Sequence, residues 1–175
     1  MLKRVIVYGL AFGSLSASML LINFLNQLYL HRNFLSAVPT LGNIFILGIG
    51  VYLLVKSFMV EDAETPITLG KTLFASLTMA LIAALCNVGV YKHIQSNQPV
   101  QFEHFKNSQV QAIDAYIAKD TTLVTTVAKK KKRETAIANL EEKLKVGTYA
   151  SFEVQMYLSL SMIITLLVYI AKKKR

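Results

Sequence analysis

The sequence predicts an all-α integral membrane protein, a four-helix transmembrane bundle with an extramembrane amphipathic helical hairpin between its third and fourth spans. Three observations predict it. Of 175 residues, 54% are hydrophobic and only 17% charged, whereas soluble domains carry about 25% charged residues. The charges avoid residues 5–31, 33–55, 72–91 and 154–171 altogether, and each of these stretches can supply the roughly 17 to 25 residues that cross a bilayer as a helix. Between the third and fourth stretches, Phe102, Phe105, Ile113, Tyr116 and Ile117, and later Ile137, Leu140 and Leu144, recur at helical spacing. This remainder is too polar and too short for an independent catalytic domain, so the chain reads as non-catalytic.

The first span, about residues 5–27, follows Lys3 and Arg4. A charged start before an apolar run resembles a signal peptide, but the run continues through Met19, Leu20, Leu21 and Ile22 to Leu25, beyond an ordinary h-region. Retention as a span is expected. The second, about 37–57, is expected to begin near Pro39, because proline is tolerated in a helix's first turn; Lys56 can snorkel from its end. A polar loop of Glu61, Asp62, Ala63, Glu64, Thr65 and Pro66 joins it to an antiparallel third span, about 70–92. Asn97, Gln98 and Pro99 mark a break into the hairpin, residues 93–150. Its turn has two candidate positions. Asp120, Thr121 and Thr122 offer N-cap chemistry, and residues 129–135 lack any apolar side chain; the first is preferred. Gly147 and Ser151 then lead into the fourth span and its tail, residues 151–175, ending in Lys172, Lys173, Lys174 and Arg175.

The net charge of +9 and pI of about 9.7 invite a nucleic-acid reading until the positions are considered. Most of the excess flanks spans and acts on topology. Only Lys129, Lys130, Lys131, Lys132 and Arg133 cluster elsewhere, without interleaved aromatic residues to stack on bases. No nucleic-acid partner is expected, and the cluster is a candidate contact for a protein partner or for membrane lipid. Upright arms of about 20 residues would reach about 30 Å from the bilayer, several screening lengths of about 8 Å, which favours an acidic protein or envelope polymer over headgroups. Counting Lys and Arg near the spans places both termini in the cytoplasm and the hairpin in the periplasm.

Chemical signatures are sparse. His31, His93 and His104 have no ligating partner one helical turn away, so no metal is expected, and the sequence offers no cofactor or phosphate-binding motif. Cys86 stands alone in the third span, which precludes an intrachain disulfide. No ionisable residue lies in the span cores. Asn23, Asn26, Gln27, Asn43, Thr78, Asn87, Gln155, Ser159, Ser161 and Thr165 supply amides and hydroxyls for interhelical hydrogen bonds or a polar ligand cavity. Gly9, Gly13 and Ala17 form a small-residue ladder for close helix packing, within the chain or between copies in a homo-oligomer.

Lys3-Arg4 before Tyr8-Gly9-Leu10, the stretch Ile67-Thr68-Leu69-Gly70-Lys71 opening the third span, the charged helical segment after it and the closing Lys-Lys-Lys-Arg carry a resemblance. Over its whole length the chain resembles an uncharacterised family of four-span inner-membrane proteins of Bacteroidota, catalogued as a domain of unknown function. The acidic Glu61, Asp62 and Glu64 stand where that family often has a basic loop. The resemblance implies a bacterial inner-membrane location and brings no catalytic residue. It also implies an alternative role as accessory subunit of a membrane enzyme, such as a lipid-linked glycosyltransferase. The leading expectation is an interaction or assembly component of the cell envelope whose hairpin docks a partner; a small transporter or channel is a further alternative.

Overall fold

The computed structural model describes residues 1–25, 34–61, 68–120 and 125–173. Among these every regular element is an α-helix: α1 (Leu2–Leu25), α2 (Phe34–Glu61), α3 (Leu69–Asn97), α4 (Pro99–Lys119), α5 (Thr126–Leu144) and α6 (Val146–Lys173). Asn26, Gln27, His31, Thr121 and Thr122, the loop residues 62–67 and the terminal Lys174 and Arg175 lie outside the described residues. Within α1, α2, α3 and α6 lie the four stretches long and apolar enough to cross a membrane. The protein is an all-helical, multi-pass membrane bundle with α4 and α5 as an additional helical hairpin.

Local chemistry accounts for two of the helix starts. Thr68 caps α3 by accepting from the Lys71 N–H at 3.4 Å, and Thr125 caps α5 by accepting from Ala128 at 3.2 Å. The first arm therefore closes at Asp120 and the second opens at Thr125. Residues 129–133 sit inside α5, whose lack of apolar positions there marks a solvated face.

Two joints connect the hairpin to the bundle, each a single non-helical residue. Gln98 separates α3 from α4, since Pro99 disfavours helical geometry at the residue before it. Lys145 separates α5 from α6 with an extended backbone, φ −61° and ψ 137°. The final span thus starts at Val146, ahead of the Gly147 and Ser151 entry expected from sequence. Similarly, α2 starts at Phe34, so Pro39 lies in its second turn.

In the bundle α3 touches α1, α2 and α6, and α2 also meets α1 and α6, whereas the α1 and α6 backbones do not approach closely. The shared core joins Leu47, Val51, Leu54 and Val55 of α2, Met79 and the alanines of α3, Val5 of α1 and Tyr157 of α6. Much of the outer surface is exposed apolar side chain, including Leu10, Leu15, Phe45, Phe74, Leu85, Ile163 and Leu167, as a bilayer solvent requires. A second cluster brings together Phe24 from the end of α1, Tyr91 and Ile94 from the end of α3, Phe102 and Phe105 of α4, Leu144 of α5 and Tyr149 of α6. It fixes the hairpin at the end of the bundle where α1 and α3 finish.

Candidate functional site

The seam between α1 and α3 is built from absence of side chain. A Cβ added at Gly13 would stand 2.8 Å from the Ala83 Cα and 2.9 Å from the Cys86 Sγ; one at Gly9 would stand 2.9 Å from the Ile82 Cβ. Ala17 is buried on the same face. The ladder Gly9, Gly13, Ala17 is thereby occupied within the chain, bringing α1 onto the alanine face of α3. Gly50 of α2 makes room in the same manner for Phe12 and Met79.

Close approach lets short polar groups meet across the core. The Asn87 amide of α3 donates to the Tyr157 hydroxyl of α6 at 2.6 Å and to the Ser16 hydroxyl of α1 at 3.1 Å. Ser16 and Tyr157 also hydrogen-bond each other. Deeper along α6, Thr165 donates to Ser76 of α3 at 2.7 Å. Three helices are thus pinned by hydroxyls and one amide, each such bond in lipid contributing about 0.6 kcal/mol on average.

Toward the hairpin the network acquires an acid. Glu153 is 7% exposed, and its Oε1 accepts from the Tyr149 hydroxyl at 2.7 Å. The Tyr149 ring stacks on Tyr91 at 3.9 Å between centroids, and the Tyr91 hydroxyl donates to the Leu144 carbonyl at 2.8 Å. That last bond joins α3 to the end of α5. One continuous chain of contacts therefore runs from the bundle core to the base of the hairpin.

Outside the bundle, Arg133 forks onto Asp114 at 2.6 and 3.2 Å. Lys132 binds Asp120 at 2.6 Å and lies 5.3 Å from the Tyr116 ring centroid. Lys106 pairs with Glu141 at 2.9 Å. The hydrogen bond from Arg133 holds the Asp114 carboxyl below the usual carboxylate range, and that from Lys145 does the same for Glu142. Between the two arms opens a groove of about 530 Å³, lined chiefly by Ile113, Tyr116, Ile117, Ala136 and Leu140 with Lys132 and Lys143 at its rim.

No protein-family model matches the sequence, and no curated protein or solved structure is significantly similar to it. The geometry alone therefore ranks the candidate residues. Of the basic cluster, Lys132 and Arg133 hold α5 against α4, while Lys129, Lys130 and Lys131 make no ion pair among the described residues. The polar positions read from the spans divide as well. Asn87 and Thr165 are buried in the network, whereas Thr78 bonds back to the Phe74 carbonyl of its own helix and Gln155 and Ser159 face outward.

Sequence reasoning missed Ser16, Tyr157, Tyr149 and Glu153. Glu153 falls one residue before the charge-free stretch, outside the span core that absence of charge defines. A signal was present: Tyr149, Glu153, Tyr157, Ser161 and Thr165 recur every fourth residue, which draws a polar stripe along one face of α6. Among the described residues no three His, Cys, Asp or Glu side chains are grouped to hold a metal ion.

Proposed function

We propose that the protein is a non-catalytic interaction or assembly component of the bacterial inner membrane, with both termini cytoplasmic and the periplasmic hairpin docking an acidic partner protein. The observation that carries this reading is the charge pattern around an open apolar groove. Asp114, Asp120, Glu141 and Glu142 are each paired within the hairpin or its base. Lys119, Lys129, Lys130, Lys131 and Lys143 make no ion pair among the described residues. The hairpin thus consumes most of its acids internally and presents surplus lysines beside apolar side chains, of which Tyr116 is 66% exposed. Charge steers a partner and the groove gives it something to bury.

Photo-crosslinking from position 116 in native membranes tests the docking. An acidic partner is expected, lost when Lys129, Lys130 and Lys131 are changed to Gln; capture indifferent to those changes contradicts the reading. Orientation is tested separately by cysteine labelling in a Cys86→Ser background. An impermeant maleimide applied to spheroplasts is expected to modify Ala115→Cys and spare Ala63→Cys, and the reverse pattern inverts the topology.

A further inference from the structure

The buried acid at the hairpin end of the bundle lacks what a buried acid needs. Glu153 Oε1 has the Tyr149 hydroxyl, but Oε2 is buried with no hydrogen-bond partner. Asn87 is fully buried, and its Oδ1 is likewise without a partner. The two side chains meet at Tyr157, whose hydroxyl accepts from the Asn87 amide and which follows Glu153 by one helical turn on the same face of α6. The amide and phenol hydrogens nearest the two oxygens are spoken for. The Asn87 amide gives to Ser16 and Tyr157, and Tyr149 gives to Oε1. Two orphaned oxygen acceptors thus occur together on α3 and α6.

The groups around them supply no counter-charge. On α6 the neighbours are Tyr149 and Tyr157; on α3 they are Tyr91 and Cys86; α1 brings Ser16, and the core face of α2 is apolar. At the hairpin base Phe102, Phe105 and Leu144 close the side. Among the described residues no Lys, Arg or His forms a salt bridge with Glu153, and Lys145 is engaged with Glu142. An uncompensated carboxylate in such surroundings is costly, and so is a buried amide oxygen left without a donor.

We propose that Glu153 Oε2 and Asn87 Oδ1 form an intramembrane site for one small monovalent cation, a proton or a sodium ion. A proton on Oε2 turns the carboxyl into a donor to Asn87 Oδ1 and satisfies both oxygens at once. A sodium ion satisfies both by coordination. Either way the site takes one positive charge, and it sits where Tyr149 and Tyr91 connect the bundle to the hairpin. This site is independent of the docking surface on α4 and α5.

The test uses the full-length protein in lipid nanodiscs, with infrared spectra and thermal unfolding recorded at about pH 7. For a proton, a carboxylic-acid carbonyl band is expected in sodium-free buffer and absent from Glu153→Gln. For sodium, the band is absent, and the unfolding midpoint rises with sodium at constant ionic strength in wild type but not in Glu153→Gln. Neither a band nor a sodium-dependent midpoint overturns the proposal. Should Glu153→Gln fail to assemble, Asn87→Ala removes the other orphaned oxygen and is expected to shift the band or weaken the sodium response. A signal indifferent to that substitution also overturns it.

Discussion

The bundle and the hairpin are both made of antiparallel helices, yet they are held together by different means. In the bundle, glycine and alanine bring α1 onto α3, and buried hydroxyls then hydrogen-bond across the gap. In the hairpin, α5 has no buried residue at all, and α4 has only Phe102 and Ile117. Its arms are tied by exposed ion pairs, which contribute little in water. The difference teaches where the hairpin gets its shape. Its two single-residue joints and the aromatic cluster at its base hold it to the membrane helices, so the shape of the hairpin depends on the bundle beneath it.

The largest effect is expected at the α1–α3 seam. Gly13→Leu drives a side chain into the Ala83 backbone, and the loss should exceed about 3 kcal/mol, the upper end of ordinary overpacking. Gly89 lies on the same bundle with nothing within 4 Å of an added Cβ. Gly89→Ala should therefore be neutral or slightly stabilising, and Leu15→Ala, at a side chain 54% exposed toward lipid, should cost little. Equal thermal stability of all three in detergent would remove the seam from the account.

Next comes the hairpin base. Tyr149→Ala deletes the ring stacked on Tyr91 and the hydroxyl on Glu153, at a cost of about 3 kcal/mol for loss of a packed aromatic. The expected signature is selective: proteolysis between residues 98 and 145 accelerates while the four spans stay assembled. A smaller effect is expected for the core network. A double-mutant cycle of Ser16→Ala and Asn87→Leu should return a coupling of about 0.6 kcal/mol, typical of hydrogen bonds in lipid; zero coupling would mean that packing alone aligns the helices.

The arm-to-arm ion pairs should matter least, and the Asp114–Arg133 pair should respond to acid. Asp114 is held below its ordinary value of 3.8 by its hydrogen bond from Arg133. A depressed carboxylate contributes stability above its unfolded value and loses it as pH falls through the folded one. Spin-label distances between α4 and α5 should thus broaden only below about pH 4, and Arg133→Ala should remove part of that dependence.

How far the sequence reached depends on which interactions write a local pattern. Charge-free runs made the four spans legible, and Gln98-Pro99 and the cap-rich residues near Asp120 located two of the breaks. The ladder Gly9, Gly13, Ala17 was visible as a spacing, although only the structure shows that Ala83 and Cys86 fill it. Lys145 was not legible, because its extended backbone has no proline or glycine of its own. Glu153 was missed for a related reason: its burial comes from Tyr149, Asn87 and the hairpin base, which meet only after four helices have packed. Residues 129–133 read as one patch, but the fold divides them, since Lys132 and Arg133 face acids on α4.

Hydrogen exchange of α5 in nanodiscs, wild type against Tyr149→Ala, tests most directly whether the bundle holds the hairpin. Protection of the amides from residue 139 to 144 is expected in wild type and should fall sharply in the variant, with α3 unchanged beyond its last turns. Protection in α5 that is equal in the two proteins would contradict the account, because the hairpin would then be stable through its own arms.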